Sequence, residues 1–184
     1  MDIKATIIEG CYELTPAVFG DDRGYFFESF QVARLKNAIP NFPDFVQDNE
    51  AYSANIGVVR GLHAQKGESA QAKLVRVVKG KVIDVVVDIR KDSPSFGKHI
   101  AVELSETNKK QLLVPRGCLH GYAVLEEHTI FVYKCDNYYD KNAEISAFVN
   151  DPELNINWGV SPEVMQLSEK DAQAMSFQEL VATL

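Results

Sequence analysis

The sequence predicts an all-β domain whose strands close into a barrel or double into two facing sheets. Three observations carry the prediction. β-Branched runs crowd the middle of the chain, turn signals separate them at close spacing, and helical periodicity is confined to the ends. A small barrel of this kind has a mouth or interior in which a ligand can sit. The 184 residues contain no internal repeat, low-complexity tract or Pro/Gly/Ser-rich linker, so a single domain over 1–184 is expected. Its core barrel should span about residues 45–135, with strands and a helix in 1–44 before it and a segment 136–184 after it.

The elements follow in chain order. Ser29–Ile39 has room for a short helix, stopped by Pro40, which lacks the N–H that another turn needs. Phe45–Gln47 opens the strands. Leu74–Val78 and Val82–Ile89 flank Lys79-Gly80-Lys81, a hairpin signal. In the second run Ile83, Val85, Val87 and Ile89 share one face; Asp84 and Asp88 share the other with Val82 and Val86. Ile100–Leu104, Gln111–Val114, Gly121–Leu125 and Thr129–Tyr133 are further strands. Turn signals at Asp92-Ser93-Pro94, Asn108 and Pro115-Arg116-Gly117 separate them. A second helix is expected from Ser168, where Ser-Glu-Lys-Asp has the order of an N-cap.

Charge and cysteine content exclude several classes of function. With 19 Lys+Arg against 26 Asp+Glu the net charge is −7, which gives no footprint for duplex nucleic acid. An anionic small molecule in a local basic pocket stays open. No run reaches the roughly 18 apolar residues of a membrane span, and Met1–Gly10, with Asp2, Lys4 and Glu9, lacks the apolar region of a secretory leader. Cys11, Cys118 and Cys135 are odd in number and scattered, which fits reduced thiols in the cytoplasm rather than a disulfide framework or zinc ribbon. Cys118 lies near His120, yet a buried, inert thiol is the simpler reading.

Polar residues set within β-rich stretches are the candidates for chemistry. Arg60-Gly61-Leu62-His63 follows the apolar Ile56-Gly57-Val58-Val59. Lys73 opens the first strong strand, His120-Gly121-Tyr122 precedes another, and Tyr133-Lys134 ends the last. Taken singly, each is most simply a satisfied core or surface residue. Taken jointly, two His, a Lys, an Arg and a Tyr suit proton movement beside an anion: a base, an oxyanion partner and a hydroxyl acid. That is the minimum set for enolising a carbon next to a ketone. Neither His63 nor His120 has a second His nearby, and Lys73 and Arg60 would repel a cation, so no metal is expected. No Gly-rich phosphate loop or dinucleotide fingerprint is present, so no nucleotide cofactor is expected either.

A family resemblance extends over nearly the whole chain. It rests on Phe19-Gly20-Asp21-Asp22-Arg23-Gly24-Tyr25-Phe26-Phe27-Glu28, Val46-Gln47-Asp48-Asn49, Arg60-Gly61-Leu62-His63 and Lys73-Leu74-Val75-Arg76-Val77-Val78-Lys79-Gly80. It continues through Asp84–Arg90, Ser93–Lys98, Pro115-Arg116-Gly117 with His120-Gly121, Tyr133-Lys134 with Tyr138-Tyr139, Asn150-Asp151-Pro152 and Leu167–Asp171. In these motifs the sequence resembles the dTDP-4-dehydrorhamnose 3,5-epimerases.

The resemblance implies a metal-free, cofactor-free, cupin-like jelly-roll barrel with short terminal helices. It also implies a homodimer that acts on a dTDP-linked 4-keto-6-deoxy sugar. By motif, His63 would be the general base, Asp171 its orienting partner, Lys73 the stabiliser of the enolate oxygen and Tyr133 the proton donor on the opposite face. Arg23, Glu28, Gln47, Asn49, Arg60, His120, Glu144 and Lys170 would hold the nucleotide-sugar, with Tyr139 stacked on the thymine.

The departures from the family pattern lie beside this set: Glu50-Ala51-Tyr52-Ser53, Ala64, Cys118-Leu119 and Phe148. They bear on which sugar is taken and whether both carbons are inverted. Inversion of C3 alone, ketone isomerisation, and a barrel that binds without catalysis are the rival readings.

Overall fold

The structure is a computed structural model that describes residues 1–184. Its strands are β1 (Asp2–Ala5), β2 (Tyr12–Thr15), β3 (Phe19–Asp21), β4 (Gly24–Phe26), β5 (Gln47–Ser53), β6 (Val59–Gln65), β7 (Lys73–Lys79) and β8 (Lys81–Asp88). β9 (His99–Ser105), β10 (Gln111–Val114), β11 (Cys118–Val124), β12 (Thr129–Cys135) and β13 (Glu144–Ser146) complete them. The helices are α1 (Val32–Ala38), α2 (Glu169–Ala172) and α3 (Phe177–Ala182). Two antiparallel sheets form the jelly roll, in the orders β1-β2-β10-β7-β12-β5 and β13-β6-β11-β8-β9, while β3 and β4 form a separate hairpin.

The central strands β8, β10 and β11 are buried on both faces, which is why they read as near-continuous apolar runs. Val75, Val77, Val82, Val86, Leu112 and Phe131 meet between the sheets. Val85, Val87 and Leu119 point outward from the second sheet and are covered by the C-terminal segment through Trp158, Phe177 and Leu180. The outer face of the first sheet is covered by α1, where Leu35 and Ile39 pack on Leu14, Leu74 and Leu113. The two faces expected for the Val82–Ile89 run are therefore both core. Asp84 and Asp88, on its inner face, are fully buried.

One pairing departs from expectation. The Gly80 turn does not close a hairpin: β7 pairs with β10 and β12, whereas β8 pairs with β9 and β11. Gly80 has φ of 82°, and a Cβ there would meet the Thr129 side chain at 2.2 Å. The chain turns sharply at this point and passes from one sheet to the other.

Other boundaries shift. The strand expected at Phe45–Gln47 begins at Gln47 and runs to Ser53, and that expected at Gly121 starts at Cys118. The first helix is shorter than Ser29–Ile39, with Gln31 as its cap; its side chain accepts from Arg34 N. Ser168 caps α2 as expected, accepting from Asp171 N at 3.1 Å. The α3 helix went unread although Ser176 and Glu179 form a full capping box.

Candidate active site

Two adjoining cavities open in the barrel. One, of about 500 Å³, is lined by Arg60, His63, Lys73, His120, Tyr122, Phe131, Tyr133, Lys170 and Asp171 among others. The other, of about 360 Å³, is lined by Gln47, Asn49, Gln65, Cys135, Tyr139 and Glu144. They share His63, Lys73 and Tyr133, so these three stand where the cavities meet.

The backbone makes this convergence possible at two glycines. Gly61 has φ of 114°, and a Cβ on it would fall 2.6 Å from Gly121 Cα and His120 O. With no side chain on either residue, β6 and β11 lie bare against each other, and His63 becomes the direct cross-strand partner of His120.

Each imidazole is anchored by a carboxylate. His63 Nε2 donates to Asp171 Oδ1 at 2.5 Å, and Asp171 is delivered by the first turn of α2. Burial alone would push the Asp171 carboxyl up, but the hydrogen bond and charge of His63, with the Ser168 hydroxyl and Lys170, hold it below its ordinary value. It therefore stays an anion behind the His63 ring. His120 Nε2 lies 2.9 and 3.0 Å from the two oxygens of Asp84, which is fully buried on β8.

Lys73 and Tyr133 complete the centre. The Lys73 ammonium sits 5.9 Å from the centroid of the Tyr133 ring. Burial lowers the Lys73 pKa, while Cys135 and Asp84 support its charge. Burial also raises the Tyr133 phenol, helped by Cys135, so the hydroxyl is a neutral donor through the physiological range.

Around this centre Tyr139 Oη donates to Glu144 at 2.6 Å, and Lys170 pairs with the other Glu144 oxygen. Gln47 Nε2 donates to Asn49 Oδ1 at 2.9 Å. The structure thus brings together eleven expected residues: His63, Lys73, Tyr133, Asp171, Gln47, Asn49, Arg60, His120, Tyr139, Glu144 and Lys170.

Arg23 and Glu28 are not among them. Arg23 pairs with Asp21 on the exposed β3–β4 hairpin, and Glu28 pairs with Arg34 at 2.9 Å. Cys118 takes no part: it is buried in the core, and burial raises its pKa well above the ordinary thiol value. Two residues of the centre escaped sequence reading, Asp84 and Tyr122. The signal for Asp84 was present, an acidic residue on a face otherwise made of valines. Tyr122 stacks on Phe131 with centroids 4.0 Å apart, and nothing in its local sequence distinguishes it from an ordinary strand tyrosine.

Comparison with known proteins agrees with this geometry. A family profile described as dTDP-4-dehydrorhamnose 3,5-epimerase matches residues 5–179. The chain is 45% identical over 183 residues to the dTDP-4-dehydrorhamnose 3,5-epimerase of Salmonella typhimurium, covering 100% of this chain and 99% of that one. The crystal structure of the enzyme of that name from Elizabethkingia anophelis superposes with a TM-score of 0.93 at 46% identity, covering 97% of each chain. The dTDP-6-deoxy-D-glucose-3,5-epimerase of Legionella pneumophila, solved with dTDP-4-keto-L-rhamnose, gives 0.92 at 42% identity, covering 99% of this chain and 95% of that one. With a profile match along almost its whole length and relatives of this similarity, the chain belongs to the dTDP-4-dehydrorhamnose 3,5-epimerase family.

Proposed function

We propose that this protein is an isomerase that inverts C3 and C5 of dTDP-4-dehydro-6-deoxyglucose, giving dTDP-4-dehydrorhamnose on the way to dTDP-L-rhamnose. The observation that carries this reading is the meeting of a carboxylate-backed His63, Lys73 and the Tyr133 hydroxyl where two cavities join.

The C4 ketone acidifies the hydrogens on C3 and C5. With Nε2 of His63 engaged by Asp171, Nδ1 is the nitrogen left to remove a proton. The electron pair moves onto the C4 oxygen, where the Lys73 ammonium stabilises it. Tyr133 then gives its proton to the carbon from the opposite face, and the ketone re-forms. The imidazolium and phenolate return to their starting states by proton exchange through solvent. Two groups on two faces are what inversion requires, and the same cycle serves the second carbon.

Arg60 and Lys170 suit the diphosphate, Tyr139 offers a flat face to the base, and Gln47, Asn49, His120 and Glu144 supply polar contacts to the rest of the nucleotide-sugar. The cavities draw on residues from Gln47 to Asp171, so the whole chain is read as one domain.

Arg23 and Glu28 lie outside the cavities of their own chain. Arg23 rides on a hairpin whose Phe19, Tyr25 and Phe26 are each more than 60% exposed. We read this hairpin as docking on a second copy, which makes the working unit a homodimer. A nucleotide-linked substrate and three free thiols suit the cytoplasm.

The deciding experiment is turnover of the 4-keto sugar nucleotide in deuterated water, with the label located by NMR. Deuterium at both C3 and C5 with inversion supports the proposal. Label at C3 alone makes the protein a monoepimerase, and no exchange makes it a binding module.

A further inference from the structure

Asp84 is a fully buried carboxylate on the inner face of the barrel, beside the cavity-lining His120. It stands on β8, in the sheet opposite the one that carries Lys73, and its inward neighbours Val82 and Val86 are core. A carboxylate taken out of water at such a place is costly unless cations and donors surround it. His120 Nε2 reaches both of its oxygens at 2.9 and 3.0 Å. Burial pushes the Asp84 carboxyl up, and His120 and Lys73 work against that push. Both side chains line the cavity, and Asp84 is the carboxylate paired with His120.

We infer that Asp84 is a positioning residue of the reaction, anchoring the His120 imidazole and supplying the counter-charge that keeps Lys73 an ammonium facing the forming enolate. This rests on the epimerase reading, in which Lys73 meets the C4 oxygen. The division of labour between the two carboxylates follows from where they stand. Asp171 backs the base, whereas Asp84 backs the electrophilic side of the site. Removing Asp171 would disturb proton abstraction. Removing Asp84 would leave the base in place but slow abstraction, because the negative charge developing on the C4 oxygen would meet a weaker partner.

The groups facing Lys73 from neighbouring elements are Tyr133 and Cys135 on β12, His63 and Arg60 on β6, and Glu144 on β13. His120 and Tyr122 on β11, and Lys170 and Asp171 on α2, complete its surroundings. Burial favours loss of its proton; Cys135 and Asp84 oppose that loss. A nearby opposite charge moves such a group by about one pH unit or more.

The test is the pH profile of kcat for wild type, Asp84→Asn and Asp84→Glu, with folding checked by circular dichroism. Wild-type exchange of C3 and C5 hydrogens with deuterated water is measured first. If it is absent, the epimerase reading fails and takes the inference with it.

Given wild-type activity, Asp84→Asn should lower kcat at neutral pH about tenfold or more while KM changes less than threefold. Its alkaline limb should move down by about one unit, because Lys73 then loses its proton sooner. Asp84→Glu, which keeps the charge, should restore the position of that limb. Should Asp84→Asn not fold, Asp84→Ser, where water can take the vacated volume, serves as the neutral variant. A folded neutral variant with wild-type kcat, or with an alkaline limb that has not moved, overturns the inference.

Discussion

His63 and His120 stand directly opposite each other on adjacent strands, and each has its Nε2 committed to a buried carboxylate, Asp171 at 2.5 Å and Asp84 at 2.9 Å. The same ring nitrogen is used twice, so the same nitrogen, Nδ1, is left over on both. Only His63 has its carboxylate on a separate helix and its ring where the two cavities meet. That asymmetry favours His63 over His120 as the proposed base.

Replacing His63 by Asn should therefore abolish deuterium exchange at both carbons, a loss of about 10³-fold or more, in a protein that still folds. His63 is partly exposed, so little packing goes with it. Normal exchange in a folded His63→Asn protein would remove this residue from the mechanism.

Tyr133→Phe separates the two halves of the reaction. Abstraction by His63 needs no phenol, so C–H hydrogens should continue to exchange with solvent. The proton should return from the face it left, and net inversion should fall at least about a hundredfold relative to exchange. NMR of the sugar recovered from deuterated water reads both quantities together. Equal loss of exchange and inversion would point to a different role.

Gly61→Ala should damage both stability and activity. The positive φ disfavours any side chain, and the added Cβ meets backbone atoms of Gly121 and His120 that cannot swing away. We expect a loss of about 2 kcal/mol or more in urea unfolding, with kcat falling further than the unfolded fraction explains. The strand would have to shift, and His63 would shift with it.

Away from the site, Asp88 governs acid stability. Burial would push its carboxyl up, but hydrogen bonds from Arg90, Ser93 and Ser95 outweigh that and hold it well below the usual carboxylate range. For a depressed group, the stabilisation is complete above the unfolded value near about 4 and is lost as pH falls through the folded value. Asp88→Asn should lower stability at pH 7 by about 3 kcal/mol and flatten the decline below pH 4. Urea unfolding between pH 3 and pH 7 checks both.

Much of this could be read from the chain, and the failures have physical causes. Gln111–Val114 was located to the residue because turn signals bracket an apolar run buried on every position. The expectation at Phe45–Gln47 reaches only the start of β5 because its inward residues Gln47, Asn49 and Ala51 line the two cavities, so no apolar alternation marks it. The false hairpin at Gly80 arose because a tight turn between two β-branched runs looks the same whether the strands pair or part. Of the site, local motifs carried His63, Lys73, Tyr133 and Asp171, which gather in one place. Arg23 and Glu28 carry equally clear motifs yet stay outside, paired with Asp21 and Arg34, because a motif does not say where the fold will carry a residue.

The parting of the strands at Gly80 also bears on how activity arises during folding. Lys73 and Asp84 lie close in sequence, but one belongs to each sheet, so no local hairpin can bring them together. Lys73 and Tyr133 come together within one sheet and His63 and His120 within the other, so the complete site needs both sheets docked and one sheet alone carries only half of it. In a refolding experiment, turnover should return with the slowest structural phase and in proportion to it, with no early active species.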